Sequence, residues 1–249
     1  MRKKIFDKYS KYYDLIYHDK DYKSEAEYVK NLIYKFSPNA REILEFGSGT
    51  GIHGNLLSNK GFNITGVELS QQMVQLSNQS KKFKCINGDI REIKIGCLFD
   101  VVISLFHVVS YQTKNSDLKL VFANAHHHLK EKGLFIFDFW YAPAVLSQYP
   151  EPRLKKFKNK NQEIVRFAKP KVFENKNIVD VNYEIFINNL QEQTYETFCE
   201  THSMRYFSIP ELDILAESQG FKRIGEEEFL TGNPPSKKTW GVCLIYQKI

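Results

Sequence analysis

The stretch REILEFGSGTGIHG, residues 41–54, decides how the rest of the chain is read. Ile43, Leu44 and Phe46 make a short apolar run, as a strand covered on both faces requires. Gly47, Gly49 and Gly51 follow at alternate positions, where the missing Cβ admits positive φ and lets a ligand approach the backbone. A helix starting just after the turn would point free N–H groups at an anionic group. Two registers fit these residues. One is E-x-G-x-G-x-G, from Glu45 through Gly47 and Gly49 to Gly51. The other is G-x-G-x-x-G, from Gly49 to Gly54, the spacing of a dinucleotide loop. Glu68, an acid ending the second strand, can hold ribose hydroxyls in either case. Glu45 separates the two, because a carboxylate at the tip of the first strand repels a pyrophosphate but can bind an ammonium. S-adenosyl-L-methionine carries an ammonium and a sulfonium and has no pyrophosphate, so it is the favoured cofactor.

From this turn onward strands and helices alternate. Residues 51–59 read as a helix and 62–67 as a strand ending at Glu68. Ser70 caps a helix that reaches about residue 80. Residues 83–87 are a strand leading to Gly88-Asp89-Ile90, and 99–104 are a continuous apolar strand. Residues 115–129 are a helix, after which Lys132-Gly133 turns into a strand over 134–139. This order predicts an α/β, Rossmann-like, mainly parallel sheet with helices on both faces. Ligands in such sheets lie beyond the carboxyl ends of the strands, where Glu45, Glu68, Asp89, Ser104 and Asp138 all fall.

Upstream, residues 5–17 place Phe6, Tyr9, Tyr13, Ile16 and Tyr17 at near-helical spacing, and residues 22–36 form an amphipathic helix ended before Pro38. After Pro143 the pattern changes. The basic run 153–160 leads into strand-like segments at 164–173, 178–188 and 193–207, read as an inserted antiparallel β meander. Ser208 and Pro210 start a helix that Gly220 ends, and 221–229 and 240–247 close the chain as an antiparallel pair. The expected organisation is one domain from 1–149 and 208–249, with a helical lid over 1–37, and an insert over 150–207.

The 249 residues suffice for a full core, and the net charge of +6 is modest. The four cysteines, Cys85, Cys97, Cys199 and Cys243, show no C-x-x-C spacing and read as reduced, mostly buried thiols of a cytoplasmic protein. The basic N-terminus lacks the apolar core of a signal peptide. The longest apolar run, 98–111, is interrupted by Asp100, Ser104 and His107, too short for a bilayer span. His126-His127-His128 reads as a solvated helix end, since neighbouring helix positions point to different faces and no acid or cysteine completes a metal set.

Together, ILEFGSGTG (43–51), TGVELSQQMV (65–74), NGDI (87–90), FDVVISLFHVVSY (99–111) and HLKEKGLFIFDF (128–139) resemble the class I S-adenosylmethionine-dependent methyltransferases, over nearly the whole chain. The resemblance implies a seven-stranded sheet whose last strand is antiparallel. It implies that the glycine turn holds the methionyl part of the cofactor, Glu68 the ribose, and Asp89-Ile90 the adenine. Residues 13–29 and the meander ending at 202–221 look like the branch that N-methylates nucleotide-linked amino sugars, which implies a homodimer and a substrate pocket walled by the meander. In that branch the segment after the fourth strand differs from Phe106-His107-Val108-Val109-Ser110. Gly232-Asn233-Pro234-Pro235 resembles the N-P-P motif of amine-methylating nucleic-acid enzymes, but it lies between the last two strands and reads as a hairpin turn.

Methyl transfer from a sulfonium is an in-line displacement, served mainly by alignment in a water-poor pocket. An amine acceptor needs a modest base; a hydroxyl needs a stronger one or a metal. His107, just past the fourth strand, is the candidate base, or else a histidine hydrogen-bonded on the next short helix. The candidate cofactor residues are Tyr13, Tyr17, Glu45, Gly47, Ser48, Gly49 and Gly51, together with Glu68, Leu69, Met73, Asp89, Ile90 and Leu105. Phe106, Trp140 and Tyr141 are the candidate substrate wall. No metal, nucleic acid or membrane is expected as a partner. Another small metabolite as O- or N-acceptor is one alternative. A nicotinamide-dependent oxidoreductase is a second, although no Tyr-x-x-x-Lys pair follows the fifth strand. A non-catalytic cofactor-binding protein is the third.

Overall fold

Strand β1, Glu42–Phe46, is an interior strand of the main sheet, and every residue after Glu42 is buried. The computed structural model describes residues 8–249, so Phe6 of the N-terminal pattern lies outside the described residues. Alternation along β1 splits its side chains between two cores. Ile43 packs with α2 (Tyr22–Phe36) and α3 (Ile52–Asn59), whereas Leu44 and Phe46 pack with α5 (Asn115–His128) and α7 (Ile209–Ser218).

β1 pairs in parallel with β2 (Asn63–Glu68) and β4 (Phe99–Ser104). β2 pairs with β3 (Phe83–Asn87), and β4 with β5 (Leu129–Tyr141), also in parallel. β11 (Gly241–Lys248) enters antiparallel between β5 and β10 (Phe221–Glu228). These are seven of the eleven strands, in the order β3-β2-β1-β4-β5-β11-β10, the mainly parallel sheet that the sequence predicts. The other four are β6 (Arg153–Lys158), β7 (Gln162–Phe173), β8 (Ile178–Asn189) and β9 (Thr194–Phe207), which pair antiparallel in succession. β9 joins the last two residues of β5, Trp140 opposite Tyr206 and Tyr141 opposite Phe207. β5 therefore belongs to both sheets.

Several elements differ from the sequence expectation for identifiable reasons. The basic run is not a connector; its first six residues form the edge strand β6. β5 starts at Leu129, and Lys130–Gly133 is a bulge with Lys132 at φ 60° rather than a turn. The change of pattern after Pro143 begins with an unexpected short helix, α6 (Ala142–Ser147), whose first turn holds Pro143. α4 (Gln71–Leu76) stops well before residue 80. There Gln79 Oε1 accepts from the Cys85 N–H at 3.2 Å and Ser80 Oγ from the Phe83 N–H at 3.1 Å, so side chains take over the backbone's bonds. The N-terminal pattern is a 3-10 turn, Tyr9–Tyr12, followed by the single-turn α1, Tyr13–Ile16. His128 is fully buried, with its ring nitrogens bonded to Asn124 O and the Ile95 N–H, so the solvated helix end holds for the exposed His127 but not for His128. Cys97 and Cys199 are exposed, leaving only Cys85 and Cys243 buried. Among the described residues no helix is long and apolar enough to cross a membrane.

Gly54 shows how tightly α3 meets the sheet. A Cβ there would lie 2.3 Å from a Phe83 ring carbon and 2.8 Å from Glu45 Oε2, and Phe83 is fully buried. Helix propensity alone makes Gly→Ala worth a gain of about 0.5–1 kcal/mol. Overpacking costs about 1–3 kcal/mol and dominates here. Gly54→Ala is expected to lower stability in urea denaturation; an increase would show that the ring can move aside.

Candidate active site

The glycine turn is tied to the ends of β1 and β2 by its own backbone. The N–H groups of Gly47 and Ser48 both donate to Val67 O, at 2.8 and 3.1 Å, and that of Gly51 to Ser48 O at 2.9 Å. Gly49 N–H donates to Glu68 Oε2 at 3.0 Å, while Glu68 Oε1 accepts from Ser70 N–H at 2.8 Å. These N–H groups are thus committed within the chain, which leaves them unable to cradle a pyrophosphate. All three glycines have positive φ, but a Cβ at Gly49 would find only Met73 Sδ, at 3.9 Å. That is where backbone and ligand can meet closely.

Glu45 sits beside this turn, 2% exposed, with its Oε2 buried and without a hydrogen-bond partner. Burial, and then the charge of Glu68, pushes its carboxyl up to about 8. Burial also raises Glu68, against the lowering effect of the N–H groups it accepts from. Two buried acids with an orphaned oxygen form a site for a cationic group. An ammonium fits it and a pyrophosphate does not.

A strap made of the 3-10 turn and α1 lies over the glycine turn. Asp14 Oδ1 accepts from Thr50 Oγ1 at 2.8 Å, and Ser10 Oγ donates to Gln72 Oε1 of α4 at 2.7 Å. Tyr13 and Tyr17 stack obliquely at 4.8 Å between centroids, and the Tyr17 ring stands at 90° to Phe106, 5.2 Å away. The sequence expectation puts these tyrosines over the cofactor; the ties of the strap to Thr50 and Gln72 have no local sequence signal.

Phe106 and His107 both adopt left-handed φ, 63° and 62°, between β4 and the 3-10 turn Val108–Tyr111. Asp138 of β5 holds this turn: both its oxygens accept from His107 N–H, at 3.1 and 3.2 Å. His107 Nδ1 also lies 2.7 Å from Asp138 Oδ2, a contact outside hydrogen-bond alignment that is an ion pair only when the imidazole is protonated. Burial raises the Asp138 carboxyl, but the charge and hydrogen bonds of His107 outweigh it and hold it below the usual range. Lys20, over the Phe106 ring at 4.5 Å, pulls in the same direction and pairs with Glu25, which His53 Nε2 also meets at 2.7 Å. Asp138 and Lys20 had no assigned role in the sequence reading. The expectation of a strand ending at 139 put Asp138 near its end, whereas β5 runs on to Tyr141 and Asp138 lies within it, opposite Cys243.

The remaining candidates divide. Met73 is buried beside Gly49, and Trp140 stands 6.2 Å from the His107 ring, so both face the site. Tyr141, the next strand residue, packs on the opposite core with Phe139. The Ser48 hydroxyl turns toward Cys85 Sγ, 3.3 Å away, and Leu105 is buried with the α2–α3 core. Leu69 is 65% exposed. Ile90 is buried and its carbonyl accepts from Asn124. Asp89 is engaged by Arg91, whose N–H and Nε donate to Oδ1 at 3.0 and 2.7 Å and whose Nη2 meets Oδ2. Among the described residues no group of three or more His, Cys, Asp and Glu is arranged to hold a metal ion.

Residues 43–133 match the family model described as a methyltransferase domain. The chain is 28% identical over 138 residues to the dTDP-3-amino-3,4,6-trideoxy-alpha-D-glucopyranose N,N-dimethyltransferase of Streptomyces venezuelae, covering 54% of this chain and 58% of that protein. It thus spans little more than half of that relative. A putative methyltransferase of Bacillus subtilis (strain 168), YqeM, is 24% identical over 85% of both chains. In structure, an S-adenosylmethionine-dependent methyltransferase from Clostridium acetobutylicum superposes with a TM-score of 0.82 at 22% identity, covering 97% of this chain and 99% of that one. That likeness establishes the fold.

The raised Glu45 carboxyl gives a signed prediction. The folded chain keeps a proton that the unfolded chain releases near 4.5, so stability falls as pH rises from there to about 8. Glu45→Gln removes this slope, and its melting temperature at pH 8 should exceed the parent's by several degrees. A cationic ligand prefers the ionised carboxylate. S-adenosylhomocysteine should therefore bind the parent more tightly at pH 8 than at pH 6, with proton release in calorimetry, and bind Glu45→Gln about tenfold more weakly.

Proposed function

With a methyltransferase domain over residues 43–133 as premise, we propose that this protein is an S-adenosylmethionine-dependent methyltransferase of a small molecule, acting on the amino group of a nucleotide-linked sugar. The observation that carries the cofactor is the buried Glu45 Oε2, without a hydrogen-bond partner, beside a glycine turn whose Gly47, Ser48, Gly49 and Gly51 N–H groups are committed. When bound, the cofactor supplies an electrophilic methyl group on a sulfonium. Glu45 binds its ammonium, Glu68 the ribose hydroxyls, and the segment around Asp89 and Ile90 the adenine. Tyr13 and Tyr17 cover it from the strap and exclude water.

On the acceptor side His107 takes the proton that the acceptor loses, and Asp138 orients its ring. Phe106 and Trp140 flank that base and wall the acceptor. The amino-sugar reading draws support from the name of the Streptomyces relative and from the meander placed beside the strap. In this reading residues 1–149 and 208–249 form the methyltransferase unit, and 150–207 form an insert that walls the substrate and joins two copies. Exposed Phe186, Leu190 and Tyr195 at one end of the meander support that pairing. Free cysteines throughout support a cytoplasmic setting. A hydroxyl acceptor is the second reading, favoured by the His107–Asp138 pair, because a hydroxyl needs a stronger base than an amine does.

Calorimetry with S-adenosylhomocysteine and NADH tests the cofactor: the homocysteine analogue should bind, and tight NADH binding alone would sink the reading. Methyl transfer to a panel of nucleotide-linked amino sugars then tests the acceptor, against matched sugars bearing only hydroxyls. His107→Ala should cut kcat about 100-fold or more with cofactor affinity within about twofold. Asp138→Asn should lower kcat about tenfold while leaving the cofactor KM unchanged. Unaltered turnover in both would remove the pair from the mechanism.

A further inference from the structure

Arg166 on β7 points from the meander onto the strap. Its Nη1 donates to Tyr9 Oη at 2.8 Å and to Tyr17 Oη at 3.3 Å. Its guanidinium carbon lies 5.4, 5.4 and 5.2 Å from the ring centroids of Tyr17, Phe157 and Tyr183. Its Nε is buried and has no hydrogen-bond partner. Among the described residues no carboxylate pairs with it. The other shielded arginines differ: Arg91 pairs with Asp89 and Asp117, and Arg205 with Glu211.

A guanidinium largely withdrawn from water is costly without an anion, and an unbonded Nε adds to the cost. The aromatic box recovers part of this through its ring faces. It cannot neutralise the charge, because burial keeps the Tyr9 and Tyr183 hydroxyls protonated. The box also abuts the candidate site, since the Tyr17 ring that touches the guanidinium is the one standing against Phe106, next to His107.

We infer that Arg166 is the anchor for an oxyanion carried by the acceptor, a phosphoryl or carboxylate group received by its Nε–Nη edge with the Tyr9 and Tyr17 hydroxyls alongside. Guanidinium presents two parallel donors, which suits either oxyanion. The same tyrosine then covers the cofactor and lines the anion site, so acceptor and cofactor meet across one ring. Placing the anion on the acceptor rests on the methyltransferase reading; the anion site itself does not.

The test is calorimetric titration of the purified chain with pyrophosphate and, separately, with succinate, each with and without S-adenosylhomocysteine. One of the two should bind the parent with 1:1 stoichiometry, pyrophosphate marking a phosphoryl-bearing acceptor and succinate a carboxylate-bearing one. Arg166→Gln should weaken that binding at least about tenfold and leave S-adenosylhomocysteine affinity within about twofold. Arg166→Lys, which keeps the charge in the box but loses the fork, should show intermediate affinity, and it decides the matter if the glutamine variant does not fold. No anion binding by the parent, or equal binding by parent and variants, overturns the inference. The one acid in residues 1–7 is Asp7. Anion binding that appears only in Asp7→Asn would make that residue the internal partner and also overturn it. If S-adenosylhomocysteine fails to bind while the anion result holds, the cofactor reading falls and the anion site stands.

Discussion

Two carboxyl groups that repel each other in a space closed to water set the terms for the rest of the site. Glu68 is accommodated because backbone N–H groups of Gly49 and Ser70 reach its oxygens. Glu45 has no such relief at Oε2 and keeps its proton well above the ordinary range. The neighbourhood is shaped to hold this unfavourable pair. Gly54 leaves space for the Glu45 carboxyl and the Phe83 ring, and Ser70 caps α4 through its hydroxyl while its N–H goes to Glu68. Such an arrangement costs stability, which a cation bound beside the two carboxyl groups would return.

The second constraint lies across the cleft. Two successive left-handed residues, Phe106 and His107, are unfavourable for side chains of their size. The buried Asp138 holds them by accepting the His107 N–H on both oxygens. The conformation turns the Phe106 ring toward the strap and the His107 ring toward Trp140. A single carboxylate thus fixes a backbone turn and the orientation of an imidazole together.

The sequence was most legible where a single segment determines its own structure. β3 and β4 occupy the expected residues because β3 alternates buried and exposed side chains up to Gly88 and β4 is a largely apolar run. Glu68 could be found because a strand's last residue is visible in its own pattern. α4 was overextended because the side chains that end it bond across a turn to β3, a tertiary choice. β6 was hidden by charge: Arg153 to Lys156 are exposed on an edge strand, where lysine is tolerated. The Asp138–His107 contact spans 31 residues, and the Arg166–Tyr9 bond spans 157. No local spacing signals either, since both arise only when β5 and the meander are laid against other parts of the chain. Trp140 and Tyr141 parted company because the strand continues through them, and adjacent strand residues face opposite ways.

β5 carries one more consequence. Its residues 134–140 are bonded to β11, and its last two to β9, so one rigid ribbon is clamped in two sheets. Asp138 lies two residues before that second clamp. Between the meander and the carboxylate there is no loop, hinge or glycine to absorb a displacement. A tilt of the meander therefore acts on the ribbon as a torque, and the first polar group it reaches is the one that steers His107. The fold gives the meander and the His107 turn a common axle.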